Sequence, residues 1–125
     1  MSFKIKPFFD LNQTPIYRTL DEDGVLGVAN KNGTIRLHKD LNNPAQMQEV
    51  IDHEMVHRDQ FDLESKDTGN FTYDNDKMYF SPKNSNNVII TNRSGKTDGN
   101  PSLAQEKEAN DKKVQKKIKA KYSGK

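Results

Sequence analysis

The apolar positions of this chain change period several times, and each change marks a predicted element. Ile16 to Leu20, Val25 to Ala29 and Thr34 to His38 are short runs that predict strands. Asp21-Glu22-Asp23-Gly24 turns after the first. Asn30-Lys31-Asn32-Gly33 joins the other two, and Asn-Gly between apolar runs is a strong hairpin signal. The period then lengthens. Met47, Ile51 and Met55 recur every fourth residue and form a core-facing stripe. Val50, His53, Glu54, His57 and Phe61 line the adjacent face.

This helix has a clear start. Asn43 suits the N-cap, Pro44 the first helical position, and Gln46 the partner position of a capping box. It is predicted to run to about Phe61 or Leu63. Further on, Phe71 to Tyr73 and Met78 to Phe80 flank Asp74-Asn75-Asp76-Lys77 as a second hairpin, and Val88 to Thr91 is a short apolar strand. Asp74-Asn75-Asp76 hints at calcium but lacks the remaining ligand spacing and reads as a turn. A last helix is predicted from a Ser102 cap, with Gln105 completing an S-x-x-Q box, to about Tyr122.

Strands, helix, strands, helix is an α+β order: a small mixed or antiparallel sheet with hairpins, packed on two helices. One domain is expected over residues 1–122. Residues 1–15 form an N-terminal arm or first strand, and 123–125 a tail.

Composition narrows the chemistry. At 125 residues with 31% hydrophobic and 30% charged positions, the core is small, so a bound metal would matter to stability. With no cysteine, disulfides, thiolate metal sites and a cysteine nucleophile are excluded. A net charge of +2 points to no nucleic-acid partner. The seven lysines from Lys112 to Lys125 read as a solvated helix end, with contact to nucleic acid or an acidic surface, as in a nucleic-acid-associated regulator, as the alternative. No run has the length of a secretory signal or a membrane span, so a cytoplasmic protein without a membrane partner is expected.

The stretch Ile51-Asp52-His53-Glu54-Met55-Val56-His57 holds two of the three histidines in an H-E-x-x-H pattern. Positions i and i+4 of a helix share a face, so both imidazoles can meet one Zn²⁺. Glu54 then lies beside the metal, where a carboxylate can take a proton from an activated water as general base.

A catalytic zinc usually has a third protein ligand. Asp59 lies round the helix from the histidines, and Asp62 and Glu64 read as caps or solvated groups. His38, at a strand end, could contact substrate or an oxyanion, or simply be an exposed histidine. In the last helix, Leu103, Glu106, Asn110, Val114 and Ile118 share one stripe. A carboxylate on an apolar stripe needs a partner, and a metal is one. Glu108 falls on another face, with Ala104, Asp111, Lys112 and Gln115, and reads as solvated.

His53-Glu54-x-x-His57 followed by Glu106-Lys107-Glu108-Ala109-Asn110 resembles the gluzincin-type zinc metallopeptidases. It is similar to the compact ImmA/IrrE-type peptidases and to small phage-encoded HExxH proteins. The resemblance covers two helices, about a quarter of the chain. It implies a zinc metallopeptidase acting on a protein or peptide, with Glu106 as third ligand and Asn110 supporting a ligand histidine. It also implies an extended substrate along a sheet edge, for which Thr34 to His38 is the candidate strand. Tyr73 or Tyr79 could offer a phenol to the oxyanion, or pack within the hairpin. The alternative is a non-catalytic protein stapled by zinc, such as a phage virion or assembly component, whose site would be closed by a fourth ligand such as His38 or Asp62. Oligomeric state and substrate are open.

Overall fold

A computed structural model describes residues 9–11, 14–93 and 103–122. Strands β1 (Phe9–Leu11), β2 (Thr14–Leu20), β3 (Gly27–Ala29) and β4 (Ile35–His38) precede helix α1 (Pro44–Gln60). Strands β5 (Asn70–Tyr73), β6 (Lys77–Ser81) and β7 (Ile89–Asn92) follow, then helices α2 (Ala104–Asn110) and α3 (Lys112–Tyr122). The architecture is α+β, as the order of sequence patterns indicated. One sheet runs β1-β2-β4-β3 and a second runs β5-β6-β7.

Both predicted hairpins form. Asn30 and Thr34 close the β3–β4 turn (N···O 2.8 Å), and Gly33 supplies the positive φ of 89° that the turn requires. In the β5–β6 hairpin, Asp74 Oδ1 accepts the N–H groups of Asp76 and Lys77, each at 2.8 Å. These two bonds and the Tyr79 phenol hold the Asp74 carboxyl below its usual range. That carboxylate serves the turn.

One expectation fails at the first sheet. Thr34 to His38 is not a sheet edge: β4 lies between β2, to which it is parallel, and β3, to which it is antiparallel. The edge is β3. The interior place suits β4, because Ile35 and Leu37 are both fully buried and pack with Ile51, Met55 and Val56 of α1. β3 approaches α1 closely at Gly27. A Cβ there would stand 2.5 Å from Val50 Cγ1 and 3.2 Å from Glu54 Cγ, so glycine lets the edge strand reach the motif helix.

Helix α1 starts as predicted, with Asn43 Oδ1 accepting from the Gln46 N–H at 3.0 Å and Pro44 in the first turn. The last helix does not run unbroken. Asp111 leaves helical geometry (ψ 117°), and its Oδ1 accepts the Lys113 N–H at 2.9 Å, capping a new helix. An aspartate offers the backbone this alternative bond, and here it outcompetes continuation. Leu103 stands at the cap position of α2, and Gln105 is buried with its amide near Met78 Sδ. Ser102, the expected cap, lies outside the described residues. The break turns Ala109, Ile118 and Tyr122 into one core with α1.

The end of α3 is tied to α1 by a buried carboxylate. Asp59 is fully buried and accepts from Lys121 Nζ (2.7 Å), Tyr122 Oη (2.6 Å), Thr68 Oγ1 (2.8 Å) and Ser65 Oγ. Burial opposes its ionisation, but hydrogen bonds from Lys121, Ser65, Tyr122 and Thr68 outweigh that and hold its pKa below the ordinary value. Burial, then the bond to Asp59, pushes the Tyr122 phenol up to about 12. Lys121 and Lys117 also pair with Asp67, so part of the lysine run holds the fold together.

Among the described residues, no helix is long and apolar enough to cross a membrane.

Candidate metal centre

His53 and His57 project from α1 one turn apart, and Glu106 faces them from α2. His53 Nε2 lies 3.0 Å from Glu106 Oε1, His57 Nε2 lies 2.9 Å from Glu106 Oε2, and the two Nε2 atoms are 3.2 Å apart. One ligand atom from each residue can be chosen so that all lie within 4.8 Å of one another. Ligand atoms at about 2.0–2.1 Å around a tetrahedral ion stand about 3.3 Å apart, so this triangle could hold a metal ion. Glu106 and His57 are buried, and His53 is nearly so.

The opposite ring nitrogens explain why Nε2 faces inward. Gln60 is fully buried, and its Nε2 donates to Gln105 O (3.1 Å) and Glu108 Oε1 (3.0 Å). Its Oε1 is thereby turned to His57 Nδ1 at 2.7 Å, where it can only accept. His57 therefore carries its proton on Nδ1. Asn110 Oδ1 stands 2.9 Å from His53 Nδ1, a contact that suits the same tautomer there. Two imidazole lone pairs and a carboxylate then converge on one point. A proton on one nitrogen serves one of these contacts, whereas a cation serves all three.

Glu54 is also buried, with Oε2 4.0 Å from His53 Nε2. It lies beside the ligand triangle and lines a cleft of about 150 Å³ with His57 and Glu106. Ligand pockets for small molecules run to about 300–1,000 Å³, so the space suits one side chain better than an organic cofactor. Val28 and Ala29 of the edge strand form one wall, and Phe61, Phe71 and Tyr73 another.

The structure thus brings together His53, Glu54, His57, Glu106 and Asn110, with Tyr73 further along the cleft. It separates the other two candidates from them. His38 Nδ1 accepts from the Asp40 N–H at 3.1 Å, on a different depression lined by Asp23, Leu26 and Gln46. Tyr79 donates to Asp74 Oδ2 at 2.8 Å, and this bond raises its pKa. Neither lines the cleft. Among the described residues neither His38 nor Asp62 joins the ligand group.

Glu108 is not a solvated residue. It accepts the Gly69 N–H at 3.0 Å and holds Gln60 in place. Sequence reasoning passed over Gln60 altogether. The available signal was its spacing: i+3 from His57 puts an amide on the ligand's own side of the helix. No protein-family model, curated protein or solved structure matches this chain.

Proposed function

We propose that this chain is a gluzincin-like zinc metallopeptidase, with zinc on His53, His57 and Glu106 and with Glu54 as general base. The observation that carries the reading is the meeting, at one cleft, of three side chains that could hold a metal, a buried neighbouring carboxylate and the edge of β3, which is unpaired among the described residues. Zinc held there supplies Lewis acidity, polarising a carbonyl and lowering the pKa of a water towards about 7.

The chain's own residues do the rest. Asn110 and Gln60 hold the imidazoles in the metal-binding tautomer. Leu26 O accepts from the His38 N–H, and the Asn30 N–H donates to Thr34 O. The antiparallel alternation then sends the N–H and C=O groups of Gly27 and Ala29 to the open edge. An extended peptide adding there as a strand runs past Glu54. Glu54 takes a proton from water in the cleft and delivers it to the departing amine nitrogen, which leaves a carboxylate and a free amine. A fourth side chain on the metal would close the site to such a reaction, and among the described residues the ligand group has three members.

The test compares metal content and peptide-library cleavage for the wild type and Glu54→Gln. Zinc retained by both, with cleavage lost in the variant, is the expected result. Equal metal-dependent cleavage by both removes Glu54 as the base. Zinc bound without cleavage of any peptide leaves a structural staple, and failure to bind zinc sinks the metal reading.

A further inference from the structure

The cleft has a second end, and its chemistry differs from that of the metal triangle. From His57, ring contacts lead outward: Phe71 at 6.3 Å between centroids, Tyr73 at 6.1 Å from Phe71, and then the Arg93 guanidinium 4.2 Å from the Tyr73 ring centre. Phe61 stacks on Phe71 at 5.4 Å and completes an aromatic wall. Lys31, from the β3–β4 turn, also sits over the Tyr73 ring at 3.9 Å, and its Nζ donates to Tyr73 O at 2.6 Å. Two cations from two different sheets therefore hold one tyrosine at the cleft's outer end.

Neither cation is neutralised by a carboxylate of the described residues. Arg93 Nη1 donates to the main-chain oxygen of Asp74 at 2.9 Å, while the Asp74 carboxylate is taken by Asp76, Lys77 and Tyr79. Among the described residues, no carboxylate forms an ion pair with Arg93 or Lys31. Arg93 lines the cleft with its remaining N–H donors uncommitted to any described partner. A guanidinium spread over an aromatic face keeps its edge available, and that edge fits a carboxylate in two-pronged fashion.

We infer that the cleft selects peptides carrying a carboxylate a few residues from the bond to be cut, with Arg93 as the specificity-determining residue and Lys31 adding to the field. The inference takes its substrate, a peptide, from the peptidase reading. Extended peptide advances about 3.3 Å per residue, so a few residues span the ring path from His57 to Arg93. A large apolar side chain between the two ends would lie on Phe61 and Phe71. The carboxylate can come from an acidic side chain or from the peptide's own C-terminus, since both present the same group.

Binding is measured on the zinc-loaded Glu54→Gln protein, so that cutting does not consume the probe. Fluorescent peptides share one apolar residue and differ only in Glu or Gln two to four positions away, each with a free or an amidated C-terminus. Carboxylate-bearing peptides are expected to bind about two- to fivefold more tightly, as for a partly exposed charge pair, with the advantage shrinking at high salt. In the Glu54→Gln/Arg93→Gln protein the ratio should fall to about one. A gain confined to free C-termini assigns the guanidinium to the terminal carboxylate, and a gain in amidated Glu peptides assigns it to the side chain. Equal binding of all four peptides, a preference that survives Arg93→Gln, or no binding at millimolar peptide overturns the inference. Wild-type cleavage without acidic preference would do the same while leaving the peptidase reading intact.

Discussion

Replacing Asp59 with alanine removes a carboxylate that four donors share at the junction of α1 and α3. The side chain is fully buried, and Lys121, Tyr122, Thr68 and Ser65 all donate to it. A hydrogen bond to a charged group contributes about 1.5–3 kcal/mol, but four such values do not add, because ionised Asp59 also carries a desolvation cost that alanine relieves. Breaking a buried pair by removing one partner costs about 3–5 kcal/mol. Lys121 keeps Asp67 at 3.1 Å and is about a third exposed, so it is not stranded. That places the loss near the lower figure, about 3 kcal/mol, out of a total of about 5–15 for a domain of this size. Asp59→Asn keeps the volume and one acceptor and should lose about half as much. Urea unfolding of both variants in zinc-saturated buffer is the assay. The double variant with Lys121→Met supplies the coupling, expected to exceed about 1 kcal/mol. A loss below about 1 kcal/mol for Asp59→Ala, or additive single effects, would refute the reasoning. The sign with pH follows from the lowered pKa. The contribution is full above the ordinary aspartate value of 3.8 and disappears as pH falls through the lower folded value. Asp59→Asn should flatten the acid limb of the stability curve.

Three further outcomes are expected. Under the proposed zinc reading, Gln60→Leu frees the His57 tautomer and should weaken zinc binding about 10–100-fold in a chelator competition, with circular dichroism unchanged. Gly27→Ala puts a methyl 2.5 Å from Val50 Cγ1 and should cost about 1–3 kcal/mol in thermal unfolding; under the proposed peptidase reading it also shifts Glu54 and lowers turnover. At high pH, Tyr122 holds its proton to about 12 in the fold against an ordinary value of 10.0. The native state then binds more protons than the unfolded one between those values, so stability falls as pH rises through that window. Tyr122→Phe should remove this part of the alkaline loss, read by unfolding midpoints alongside tyrosinate absorbance.

Much of this protein was legible in its sequence because the rules involved act over a few residues. The i, i+4 spacing sets His53 beside His57, Asn43 and Pro44 start their helix, and Asn-Gly turns its hairpin wherever the rest of the chain goes. Helix phase put Glu106 on the inward stripe, and its burial in the structure agrees. Three things were decided only in three dimensions. The edge strand is β3 because β4 takes β2 as a parallel neighbour, a pairing that no local pattern encodes. The last helix breaks at Asp111 because a side-chain cap competes with the backbone, and Ala109 of the first piece and Ile118 and Tyr122 of the second join one core. Gln60 and Glu108 become supports of the His53–His57–Glu106 group because packing brings their polar atoms to each other, to His57 and to Gly69. Local chemistry chose the candidate ligands, and long-range packing aimed them.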